Sequence, residues 1–121
     1  ELEPYLIGCY NKYMQMNDYQ QLALRTARPK NANDEFYHLL LGLVGEAGEV
    51  AEKVKKVIRD EGSDFSKLDE LFKKELGDVL WHIAVLAAYF DIKLEDIAQM
   101  NIDKLASRLE RGTIGGSGDT R

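Results

Sequence analysis

The chain has 121 residues, enough for one domain around one hydrophobic core. Sixteen Lys and Arg face 21 Asp and Glu, a net charge of −5, which argues against a protein that grips nucleic acid by neutralising phosphates. With 45% apolar and 31% charged residues, a single cysteine (Cys9), no signal-peptide pattern and a longest uncharged apolar run (Val79 to Phe90) too short for a bilayer, the expectation is a folded cytoplasmic protein. It would have no disulfide, no membrane partner and no nucleic-acid partner.

Residues 1–16 read as an N-terminal extension of open role, because Met14 and Met16 are each natural starting points. Asn17 and Asp18 are placed to cap a short helix running to about Ala27. Pro29 and the polar stretch 30–34 break it. From Asn33 or Asp34 to about Asp60, apolar residues at 36, 39, 40, 43, 47, 50, 54, 57 and 58 recur in steps of three and four and predict a long helix. Gly62-Ser63-Asp64 ends it. Ser66 with Asp69 resembles a capping box and opens a third helix, whose stripe runs from Leu68 through Leu76, Val79, Leu80 and Ile83 to Phe90. Asp91 interrupts. A fourth helix is predicted from about Leu94 to Arg111, with Ile97, Ala98, Ile102, Leu105 and Leu109 inward and Gly112 as a left-handed C-cap. Residues 112–121 form a Gly-rich, non-helical tail.

The fold class is therefore all-α, a helical bundle built on two long antiparallel helices. Each is about 25 residues, or roughly 38 Å. One small fourth helix cannot cover such lengths, so the bundle is expected to be completed by self-association, as a homodimer or homotetramer.

Two acidic pairs carry the chemistry. Glu46 and Glu49 lie three apart on the second helix, and Glu75 and Asp78 three apart on the third. Each pair sits one residue before its apolar stripe, about 100° round the helix, and so borders the core. Packed stripe to stripe, the helices can bring four carboxylates to one groove. Like charges this close are costly unless a cation offsets them, and hard oxygen ligands without Cys or paired His suit Mg²⁺ or Mn²⁺ rather than zinc. Gly42, Gly45, Gly48 and Gly77 fall inside the helices despite costing about 1 kcal/mol each relative to Ala. Such small residues let a helix or ligand approach closely.

On the fourth helix Asn101, Lys104 and Arg108 share a face, an amide and two cations suited to a polyphosphate. Trp81 and Tyr89 are candidates for stacking on a base, though Trp81 also reads as plain core. His82, four after Asp78, can orient that carboxylate or be an ordinary core or surface histidine. Lys53, four after Glu49, reads as its ion-pair partner. A metal held by carboxylates, with cations nearby, is the equipment for holding and cleaving a nucleoside triphosphate.

The segments LGLVGEAGEVAEKVKK, KELGDVLWHIAVLA and MNIDKLASRLERGTIGGSGDTR resemble the MazG-like nucleoside triphosphate pyrophosphohydrolases of the all-α NTP pyrophosphatase superfamily. The family pattern is E-x-x-E, a spacer and E-x-x-D. The resemblance covers about residues 17–121, with 17–111 as the catalytic domain. It implies that Glu46, Glu49, Glu75 and Asp78 bind Mg²⁺, and that Asn101, Lys104 and Arg108 meet the phosphates or sugar of an NTP or dNTP. It also implies a dimer or tetramer that releases the monophosphate and pyrophosphate. Glu46 or Glu49 would accept the proton of the attacking water, and the sequence does not choose between them. Two other readings stand beside this one. A di-iron bundle has one E-x-x-H (Glu35, His38) but lacks the second. A non-catalytic module for nucleotide sensing or oligomerisation needs no turnover.

Overall fold

The computed structural model describes residues 14–118, so most of the N-terminal extension and the last three residues of the tail lie outside the described residues. The described residues form four helices and no strand: α1 (Met16–Ala23), α2 (Glu35–Asp60), α3 (Leu68–Tyr89) and α4 (Leu94–Glu110), with a 3-10 turn over Leu24–Thr26. The 26 residues of α2 and 22 of α3 span about 39 and 33 Å. They pack as an antiparallel hairpin. Phe36 meets Tyr89 and Phe90, Gly42 faces His82, and Lys53 reaches Glu75.

The core sits at one end of this hairpin. Leu39 of α2, Ala84 and Val85 of α3, Ala23 of α1 and Leu94 of α4 form one buried cluster. Leu39 is the largest side chain to vanish from solvent, at 1% exposed. Beside it Glu35, buried at the first turn of α2, pairs with Arg28 at 3.4 Å. Its charge is therefore met by an arginine.

Asn17 does not cap its own helix, which begins without a side-chain cap. Its Oδ1 accepts from the Glu95 N–H at 3.1 Å, and its Nδ2 donates to the Glu95 carboxylate at 2.8 Å. Gln20, 3% exposed, accepts from the Leu94 N–H at 3.0 Å and donates to the carbonyls of Ala84 (3.0 Å) and Ile92 (2.9 Å). The first two amides of α4, those of Leu94 and Glu95, have no partner in their own helix, and the side chain of its N-cap Lys93 supplies none. Two amide side chains of α1 meet that need and dock the helices together.

The helix ends follow local chemistry. Ile92 N–H donates to Ala87 O and Asp91 N–H to Ala88 O, with Asp91 at φ +58: a Schellman ending of α3 with an aspartate in the left-handed position. The same pair of bonds, from Thr113 to Arg108 and from Gly112 (φ +68) to Leu109, closes α4. The expected capping box at Ser66 is absent. Asp64 Oδ1 accepts from the Ser66 N–H at 3.0 Å, a local turn that uses the backbone before the helix starts, and α3 begins at Leu68.

The inward face expected along α4 is also corrected. The helix packs against α1 and α3, and of its expected inward residues Ala98 is half-buried. Ile97, Ile102, Leu105 and Leu109 are exposed, Leu109 at 71%. Leu41 and Val44 on α2 and Leu76 on α3 are exposed as well.

Candidate metal centre

The register of the hairpin orders its functional level. Moving from the core along α2, Leu39 is followed by Gly42 and then Glu46, each about one turn on. On α3 the opposing residues are Val85, His82 and Asp78. Glu46 and Asp78 thus face each other two turns from the core, with Glu75 one turn further along α3. Ligand oxygens of Glu46, Glu75 and Asp78 all lie within 4.8 Å of one another. Among the described residues no other group of His, Cys, Asp or Glu gathers in this way. Glu46 and Glu75 are half-buried and Asp78 is exposed.

Three carboxylates from two helices make an all-oxygen donor set. With no thiol or imidazole in it, the set fits Mg²⁺ or Mn²⁺. Ligands on such a cation stand about 3–4 Å apart for bonds near 2.1 Å, so a small side-chain rotation would close the group. One cation already stands at its edge: Lys53 Nζ is 3.1 Å from Glu75 Oε1, with both side chains half-buried. The lysine expected to pair with Glu49 within α2 instead crosses to α3, because the packed hairpin presents it with a carboxylate bordering the same groove. Glu49 is exposed and lies outside the group of three.

Tyr19 of α1 also reaches this neighbourhood. Burial first, and then the negative charge of Asp78, raise its phenol above the ordinary tyrosine value. Nothing in residue spacing points from position 19 to position 78; only the packing of α1 on α3 does.

Trp81 is held by the first helical segment. Its indole N–H donates to Thr26 Oγ1 at 2.8 Å and lies 3.2 Å from Ala23 O, and its half-buried ring packs against the core. His82 Nδ1 is 2.9 Å from the backbone carbonyl of Asp78, not from its carboxylate. On α4, Asn101 and Lys104 are exposed. Arg108 is buried, and its Nη2 donates to Gly118 O of the tail at 3.3 Å. The tail thus folds back onto the end of α4. Of the four glycines inside helices, only Gly42 has a neighbour where a Cβ would stand. Gly45, Gly48 and Gly77 face open space.

No helix among the described residues is long and apolar enough to cross a membrane. Residues 35–112 match the family model of the MazG nucleotide pyrophosphohydrolase domain. The chain is 44% identical over 115 residues to the Gene 37 protein of Mycobacterium phage L5, covering 89% of this chain and 100% of that protein. It is 37% identical over 75 residues to the uncharacterized protein YvdC of Bacillus subtilis (strain 168), covering 56% of this chain and 70% of that protein. No solved structure matches the chain significantly. The family match spans α2, α3 and α4 together with all three gathered carboxylates, and the chain belongs to the MazG nucleotide pyrophosphohydrolase domain family.

Proposed function

We propose that this chain hydrolyses a nucleoside triphosphate, NTP or dNTP, to the nucleoside monophosphate and pyrophosphate, with Mg²⁺ as cofactor and Mn²⁺ as a substitute. The observation that carries the reading is the convergence of Glu46, Glu75 and Asp78 in a chain of this family. In this account those three side chains hold the cation. When bound, the cation supplies the positive charge that draws in the triphosphate and offsets charge building up as the anhydride breaks. Water attacks the α-phosphorus in line, the bond to the α–β bridging oxygen breaks, and pyrophosphate leaves. Glu49 accepts the proton of the water, because it is exposed, stands one turn from Glu46 and is outside the group that holds the cation.

Asn101, Lys104 and Arg108 form the phosphate-facing row of α4. The half-buried ring of Trp81 is a wall for the base, fixed by its bond to Thr26. The exposed apolar residues of α2 and α4 support self-association as a homodimer or homotetramer, which would cover Leu41, Val44, Leu105 and Leu109.

The test is incubation with a panel of NTPs and dNTPs plus Mg²⁺, followed by separation of the products. Monophosphate and pyrophosphate in equal amounts are expected. Glu49→Gln should lose turnover while still binding cation, whereas Asp78→Asn should lose both. Diphosphate and orthophosphate as products would contradict the assigned bond. Nucleotide binding without turnover would favour a sensing module.

A further inference from the structure

We propose that Gly42 and His82 form a spacer that sets the gap between α2 and α3 at the acidic level. They are positioning residues for Glu46 and Asp78; the inference rests on the metal-site reading above.

The contact is tight, and it is locked from several sides. A Cβ on Gly42 would collide with Nε2 of His82 and fall 2.7 Å from its Cδ2. Swinging the imidazole away costs two contacts. Its Nδ1 donates to the Asp78 carbonyl at 2.9 Å, since a carbonyl oxygen only accepts. Its ring also stands edge-on to Trp81, centroids 4.8 Å apart at 75°. Trp81 in turn is pinned by Thr26 and Ala23. The distance between packed helices follows the side chains at their contact. Here that contact is a glycine against a ring, one turn from Glu46 on α2 and one turn from Asp78 on α3. A methyl group at position 42 must either displace α2 from α3 or break the His82–Asp78 bond. The first shifts one carboxylate relative to the other. The open surroundings of Gly45, Gly48 and Gly77 mark position 42 as the place in the hairpin where glycine itself sets the approach.

The experiment measures Mn²⁺ affinity by calorimetry and thermal stability in parallel, on the full chain. Gly42→Ala is expected to weaken Mn²⁺ binding about 10-fold, the loss typical of disturbing the groups that orient metal ligands. Adding His82→Ala to it removes the ring and should return affinity to within about 3-fold of wild type, a coupling that independent sites do not show. Val57→Ala, a buried packing change towards the far end of α2, should lower the melting temperature without moving the affinity. If Gly42→Ala does not fold, His82→Trp presses the same contact from α3 and should weaken binding likewise. Wild-type affinity in Gly42→Ala, or a double variant as weak as the single, overturns the spacer. If those results come with cation binding abolished in Asp78→Asn, the metal site stands and only the spacer fails. A wild-type protein that binds no cation removes both.

Discussion

The two halves of the α2–α3 hairpin are built on opposite principles. At the core end, Leu39, Ala84 and Val85 are buried, Gln20 satisfies three backbone groups at once, and even the charged Glu35 is enclosed and paired. Two turns along, no residue between 68 and 83 of α3 is fully buried, three of the four helical glycines face open space, and three carboxylates crowd together. The first half gains most of its stability from burial; in the second, Val57 of α2 is the one fully buried residue among those described. Placing like charges and glycines in mid-helix is costly unless something absent from the bare hairpin compensates. A cation at the carboxylates and a second copy over the apolar face are the compensations the proposed function supplies.

The contrast predicts how substitutions divide. Leu39→Ala should cost about 2–5 kcal/mol of unfolding free energy, by lost burial and a cavity, while leaving cation affinity unchanged; denaturant melts and calorimetry on the same sample check both. Gln20→Ala should cost about 1–3 kcal/mol, since buried carbonyls and the Leu94 N–H lose their partner. Amide exchange in the first turn of α4 should rise most. Asp78→Asn should act in the other direction: without metal it relieves like-charge repulsion and leaves stability equal or higher by about 0.2–0.5 kcal/mol. A clear loss of stability there would mean the acidic level is structural after all.

The smallest effect lies in the α2–α3 loop. Hydrogen bonding to Ser66 holds the Asp64 carboxyl below its ordinary value. Its folded pKa is lower than its unfolded one, so it contributes stability above the unfolded value, about 3.9, which is lost as pH falls through the folded value. Asp64→Ala should therefore be slightly less stable than wild type at neutral pH, with the difference vanishing in strong acid. A difference that persists there would show that the turn does not depend on the carboxylate's charge.

What the sequence makes legible is local. The stripes of α2 and α3, the break at Gly62 and the Gly112 ending depend on neighbours a few residues away, and the structure agrees with them to within a residue or two. Three of the four acidic residues are legible for the same reason: spacing places each pair on one face and their helices meet, though Glu49 stays outside the group that forms. What depends on distant partners is not legible. Asn17 has all the chemistry of a cap for its own helix yet serves Glu95, 78 residues away. Lys53 is correctly spaced for Glu49 yet pairs with Glu75, because the opposing helix offers an acid in a more enclosed place. Tyr19 near Asp78 follows from packing alone. Along α4 the apolar spacing marks a face to be covered, but spacing does not specify whether the same chain covers it.

The central claim is that carboxylates from two helices form one cation site. Calorimetric titration with Mn²⁺ of wild type, Glu46→Gln, Glu75→Gln and Asp78→Asn tests it most directly. A shared site predicts saturable binding in the wild type and at least about 10-fold weaker binding in each variant, with melting temperatures maintained. Unchanged affinity in variants from either helix would contradict a site shared between α2 and α3.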